Sequence, residues 1–214
     1  IPLEGLRNVT FDGCGADLLF YGQMLPLSLI ESTDCTLRNF SIDFPNPHIA
    51  QAVITHNDGK SLSYKMEPWV DWEVKDGTLY TRGEGWRYHA NGGIAFDGNS
   101  RHLIAQTSDC SFPTSNLTTD KDGNIHAPSW KDPHLVPGTR FALRTWNRPA
   151  PALFLADDVR TTLHNIKVHY AEGMGLVAYR CEDITLDRFD VCVEDGSLRY
   201  FTTQADATHF SQCK

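Results

Sequence analysis

Basic residues are scarce: 19 Lys and Arg stand against 27 Asp and Glu, a formal charge of -8 over 214 residues. A chain with so few cations has no stripe to neutralise phosphates, which sets nucleic acid aside as a partner and favours a neutral ligand. No apolar run approaches the roughly 18 residues that would cross a bilayer. The opening Ile1-Pro2-Leu3-Glu4-Gly5 lacks the basic start and apolar core of a signal segment. Low-complexity tracts are missing as well, and 41% hydrophobic with 21% charged residues is an ordinary globular composition. Cys14, Cys35, Cys110, Cys181, Cys192 and Cys213 form no C-x-x-C pair, so they read as small apolar fillers. There is no H-E-x-x-H, and His164 and His169 read as surface or turn histidines. Asp12-Gly13 and Asp195-Gly196 lack the D-x-D-x-D-G series of a calcium loop, and the glycines form no phosphate-binding series. No metal and no cofactor are expected.

What the chain does have is a repeat. Apolar residues recur at offsets of zero, two, five and seven in Cys35, Leu37, Phe40, Ile42, then in Thr161, Leu163, Ile166, Val168, then in Ile184, Leu186, Phe189, Val191. Period two within each half is a strand; the odd step between halves would flip the second strand outward unless the chain turns a corner there. Asn39 and Asn165 occupy that corner, and Asn is the non-glycine residue that most readily takes a left-handed backbone. Leu6, Val9 and Phe11 fit the same register with Asn8 at the corner, whereas the third repeat has Arg188 there. Leu163 and Leu186 lie 23 residues apart, one coil of a parallel β-helix, a unit that buries its apolar face only by stacking. Advancing 21 residues again puts Ala205, Ala207, Phe210 and Gln212 in register, with His209 at the corner. Asp206 then becomes the next member of an outward column of Thr36, Thr162 and Thr185. The last residues pass no turn or cap, and both ends read as interior to a longer fold.

Residues 49–145 break this rhythm. Short strands at Gln51 to Ile54, Ser61 to Met66, Trp72 to Val74 and Thr78 to Thr81, with turns at Asn57-Asp58-Gly59 and Asp76-Gly77, predict an inserted small β-barrel or sandwich. The expected division is therefore 1–48 for the first coils, 49–145 for the insertion and 146–214 for the later coils. All five tryptophans lie in or at the edge of the insertion, as core or as platforms for a sugar.

Two stretches carry candidate chemistry. Tyr200-Phe201-Thr202-Thr203-Gln204-Ala205-Asp206-Ala207-Thr208-His209-Phe210 places one carboxylate among small residues and hydroxyls. Tyr170-Ala171-Glu172-Gly173-Met174-Gly175 follows a strand directly, and its glycines mark a tight backbone course that aims Tyr170 and Glu172; a plain turn between coils is the alternative.

These two stretches resemble glycoside hydrolase family 110, the bacterial α-1,3-galactosidases, as do Asn8-Val9-Thr10-Phe11-Asp12-Gly13 and Leu37-Arg38-Asn39-Phe40-Ser41-Ile42-Asp43-Phe44. The resemblance covers essentially the whole chain. It implies an all-β, right-handed parallel β-helix that removes terminal α-1,3-linked galactose with inversion from oligosaccharides or glycoconjugates. It further implies a secreted, periplasmic or outer-membrane-attached bacterial enzyme. Asp206 matches an active-site aspartate and is the expected catalytic residue; Tyr170, Glu172, Gln204 and His209 are the expected substrate-binding neighbours. The family also carries acidic residues on later coils, beyond Lys214, so the stretch by itself is expected to be inactive. A pectin-degrading β-helix would need paired aspartates with a basic element, or calcium-binding carboxylates, and neither is visible. A non-catalytic adhesin or carbohydrate-binding module stays open.

Overall fold

The computed structural model describes residues 1–107 and 109–214. Among the described residues every regular element is a β-strand. The strands form two compact units, one from residues 1–47 and 147–214, the other from residues 48–146.

In the first unit the chain alternates between two parallel sheets. One sheet runs Pro2–Glu4, Leu27–Ile30, Leu153–Ala156, Leu176–Tyr179, Thr208–Ser211, and the other runs Thr10–Leu19, Thr36–Asp43, Val159–Val168, Glu182–Val191. The registers are strict: Leu37, Leu163 and Leu186 stand opposite one another, as do Ile42, Val168 and Val191. Apolar residues at these positions face inward, and Leu27, Leu29, Ile42, Leu153, Leu155, Leu163, Ile166, Val168 and Leu176 are fully buried. Each such side chain is worth roughly 1.5–3 kcal/mol relative to exposure, which is what holds the two sheets together. Cys35 and Cys181 are part of this core, and all six cysteines are free thiols.

Three columns of left-handed residues bend the coils. Gly5, Glu31, Asp157, Arg180 and Gln212 end the strands of the first sheet; Asn8, Asp34, Arg160 and Asp183 start the second; Asn39, Asn165 and Arg188 kink the second in mid-strand. The third column is the corner legible in the sequence, and Arg188 takes it with φ 53. Asn165 donates to Asn39 at 3.0 Å along this column, whereas the Arg188 guanidinium turns to His164 Nε2 at 2.6 Å.

Two registers differ from expectation. Phe11, not Leu6, stands opposite Leu37, so Asn8 belongs to the second column. The first coil turns its mid-strand corner through Gly13-Cys14-Gly15, a longer path. Gly13 fits there because a Cβ would lie 2.6 Å from Phe40 Cβ. Asp12 anchors that corner by accepting from Cys14 N at 2.9 Å, Asn39 Nδ2 at 3.0 Å and Arg38 Nε at 2.7 Å, and these donors hold its carboxyl down to about 2. At the other end, Thr208–Ser211 pairs with Leu176–Tyr179 in the first sheet. Asp206 is thus not a member of the Thr36, Thr162, Thr185 column, and the left-handed residue is Gln212 rather than His209.

The second unit has an antiparallel seven-stranded sheet with Arg140–Arg144, Ala50–Asn57 and Leu62–Met66 at its centre, and a three-stranded sheet of Trp72–Lys75, Thr78–Gly83 and Trp86–Tyr88. Its core holds Ile54, Leu62, Tyr64, Leu143 and a Phe112–Phe141 stack at 4.1 Å. Trp86 is buried against His48 at 4.5 Å, whereas Trp146 is exposed.

Candidate functional site

The candidate residues divide into a buried set and an exposed pair. Tyr170 is fully buried, its ring 5.6 Å from Phe44 and 6.4 Å from Phe201, both edge-on. Glu172 is also buried, and its Oε1 accepts the N–H of Met24 at 3.0 Å. Burial pushes the Glu172 carboxyl up to about 7, against the opposing pull of that N–H. Gln204, buried too, donates its amide to the carbonyls of Asn147 and Glu172, each at 3.1 Å. Glu172 and Gln204 thus tie together four separate stretches of backbone, around residues 24, 147, 172 and 204. The structure brings Tyr170, Glu172 and Gln204 together, but inside the fold, where a saccharide does not reach them.

The tight course expected of the glycine-bearing turn is real. Residues 202–206 run alongside residues 171–175: Ala171 N donates to Thr202 O at 2.9 Å, Gln204 N to Gly173 O at 3.2 Å and Gly175 N to Asp206 O at 3.1 Å. A Cβ on Gly175 would lie 2.5 Å from the Ala207 carbonyl oxygen, so only glycine permits this approach. The packing fixes the backbone of Asp206, and its carboxylate projects outward with 61% exposure. His209 Nδ1 lies 3.3 Å from Asp206 Oδ2. A fixed, solvated carboxylate beside an imidazole can accept sugar hydroxyls and exchange a proton.

A second cluster escaped the sequence reading. Asp17, Leu19, Ser41, Asp43, His169 and Glu194 line a groove of about 240 Å³ on the first unit. Arg199 forks onto Asp43, with Nη1 to Oδ1 at 2.9 Å and Nη2 bonded to Oδ2, and both side chains are nearly buried. Ser41 donates to Asp17 at 2.5 Å. His169 Nδ1 donates to the Cys192 carbonyl at 3.0 Å, which places a proton on Nδ1. The signal available in sequence was the polar-apolar alternation of Ser41-Ile42-Asp43, which sets two polar groups on the face opposite the core. No group of three or more His, Cys, Asp or Glu side chains among the described residues is arranged to hold a metal ion.

The scaffold is all-β and presents carboxylates, an imidazole and hydroxyls. Residues 50–140 match the GLAA-B beta-barrel domain I family. Over 100% of its length the chain is 54% identical to an alpha-1,3-galactosidase B of Phocaeicola vulgatus and 51% identical to one of Parabacteroides distasonis, covering 37% and 36% of those proteins. An alpha-1,3-galactosidase B of Akkermansia muciniphila is 29% identical over the whole chain, which covers 27% of it. The chain is thus similar over its whole length to proteins named alpha-1,3-galactosidase B, and it spans just over a third of the length of the first two relatives.

Proposed function

We propose that the two parallel sheets are faces of a right-handed parallel β-helix whose whole protein removes terminal α-1,3-linked galactose with inversion, outside the bacterial cytoplasm. The observation that carries this reading is the 54% identity, without loss of coverage on this chain, to a protein named alpha-1,3-galactosidase B. We divide the chain as 1–48, 49–145 and 146–214, with the middle stretch a β-barrel inserted between coils.

In this reading Asp206 touches the sugar, His209 orients it, and Tyr170, Glu172 and Gln204 position the backbone beneath it. Inversion requires two carboxyl groups about 6.5–9.5 Å apart, with a water between base and sugar. Neighbouring coils lie about 4.8 Å apart, so the partner of Asp206 belongs one or two coils away.

The test is Asp206→Asn in the whole protein. Turnover of an α-1,3-galactobioside should fall by at least about a hundredfold, while unfolding stays within about 1 kcal/mol of the parent, as for a surface change. Near-normal hydrolysis by the variant would remove Asp206 from the mechanism. Galactose binding without turnover by the parent would favour a binding module instead.

A further inference from the structure

The largest cavity described lies in the unit of residues 48–146, about 390 Å³ between the segments Ser111 to Asn116 and Ala127 to Trp130. Not one of its lining residues is charged, although the chain as a whole carries -8. The wall offers Ser115, Asn116 and Ser129, all exposed, beside the buried Thr114 and the indole of Trp130. Trp130 Nε1 is buried and meets no acceptor among the described residues.

Both wall segments are held by main chain. Thr114 O accepts from Leu79 N, Leu117 N donates to Gly77 O, and Trp130 N donates to Lys60 O, each at 2.9 Å. The Tyr64 hydroxyl donates to Pro113 O at 2.8 Å from the centre of the core. Asn116 sits at φ 57, which turns the chain at the rim. A pre-formed cavity keeps the ordering cost of binding low, and its volume is that of a small-ligand site. An aromatic ring with hydroxyls and one amide, and no charge, matches a ligand with apolar C–H faces and many neutral hydroxyls.

We propose that this cavity binds a neutral saccharide of one or two hexose units, at a site separate from Asp206 and its neighbours. The proposal rests on the galactosidase reading only for the choice of galactose as first probe. It predicts that the inserted unit holds a glycan while another part of the protein acts on it.

The experiment is an NMR titration of the ¹⁵N-labelled 214-residue chain with D-galactose and α-1,3-galactobiose, with D-galacturonate as the charged control. The expected result is saturable shifts in residues 111–117 and 127–130, weaker for galacturonate. Asn116→Gly keeps the left-handed backbone and deletes the amide, and Ser129→Ala deletes one hydroxyl. Each should weaken binding about two- to tenfold, the loss of one hydrogen bond to a neutral group, with the remaining spectrum unchanged. Trp130→Ala should abolish binding, and the two milder variants decide the matter if it fails to fold. Asp206→Asn should leave these shifts intact. No shifts up to the solubility limit, or shifts that Asn116→Gly and Ser129→Ala do not weaken, would overturn the proposal without touching the galactosidase reading. Failure of the whole protein to cleave galactosides, with the cavity shifts present, would overturn that reading alone.

Discussion

Asp158 gives the unit of residues 1–47 and 147–214 a dependence on pH that runs opposite to acid unfolding. It is fully buried, its Oδ1 accepts Ser32 N at 2.8 Å, and its Oδ2 has no partner among the described residues. Burial pushes its carboxyl up to about 7, reinforced by the neighbouring Asp157 and opposed by the N–H groups of Ser32 and Ala156. An acid whose pKa is raised by folding holds its proton more tightly in the folded chain. Its stabilisation is therefore complete below the unfolded value of 3.8 and is lost as pH rises through about 7. Each tenfold change in proton affinity is worth about 1.4 kcal/mol, so the folded chain loses about 3 kcal/mol between about pH 5 and pH 8 from this group. That figure is an upper bound, because local opening admits water. In a chain of this size it corresponds to a fall in Tm of about 6–12 °C.

Asp158→Asn keeps an acceptor for Ser32 and removes the ionisation. The variant should match the parent near pH 5 and exceed it near pH 8 by up to about 3 kcal/mol. All five tryptophans lie within residues 48–146, so indole emission follows the other unit. Unfolding should instead be followed by far-ultraviolet circular dichroism or by amide exchange of Leu163 and Ile166. An unchanged pH slope in Asp158→Asn, or a variant less stable than the parent at pH 8, would refute the reasoning.

Arg188→Asn should raise stability by about 0.5–1 kcal/mol in denaturant melts, because Asn suits the left-handed backbone and can extend the Asn39–Asn165 ladder; a loss would show that the His164 contact matters more. Gly175→Ala should cost about 2 kcal/mol or more, since the Cβ would meet Ala207 O at 2.5 Å and Val191 Cγ2 at 2.7 Å; a melt within experimental error of the parent would contradict that packing. Arg199→Ala leaves Asp43 nearly buried and unpaired, which should cost about 3–5 kcal/mol, with much of it restored by adding Asp43→Asn; equal stability of the single and double variants would deny the pairing.

Much of the parallel pairing was legible because inward positions must be apolar whatever else they do. Leu37, Phe40, Ile42, Leu163, Ile166 and Val168 show the odd step directly, and all six are buried. Of the three corner columns only one could be seen. Asn39 and Asn165 advertise a left-handed backbone by repeating one residue type, but the other columns mix Gly5, Asn8 and the aspartates Asp34, Asp157 and Asp183 with Glu31, Arg160, Arg180 and Gln212, so no residue type recurs at a fixed spacing. Pairing between coils accompanies that choice: Arg160 forks onto Asp34 at 2.6 and 2.8 Å, and Arg180 onto Asp157 at 2.7 and 2.5 Å. Exposed pairs of this kind are screened by solvent and contribute little. They therefore offset part of the strain and leave no periodic signal in a single sequence.

The position of Asp206 was misread for a related reason. Advancing by a fixed step assumes coils of equal length, yet Val168 to Leu176 spans 8 residues and Val191 to Thr208 spans 17. The nine additional residues shift every later position into the other sheet. They also carry the chemistry: this connection contains Glu194 in the groove, Arg199 on Asp43, Gln204 beneath Glu172, and Asp206 itself. Periodicity records what stacking demands, and a connection that leaves the stack is free of that demand, which lets it hold polar groups in chosen places. The turn Tyr170 to Gly175 supplies the counterpart, since its buried Glu172 and Gly175 are what the long connection rests against. Lengthening 192–206 by two glycines should therefore spare the coils 1–47 and 150–191 while displacing Asp206. Amide exchange would show protection retained at Leu163 and lost at Gly175, whereas loss at both would mean that the connection is part of the stack after all.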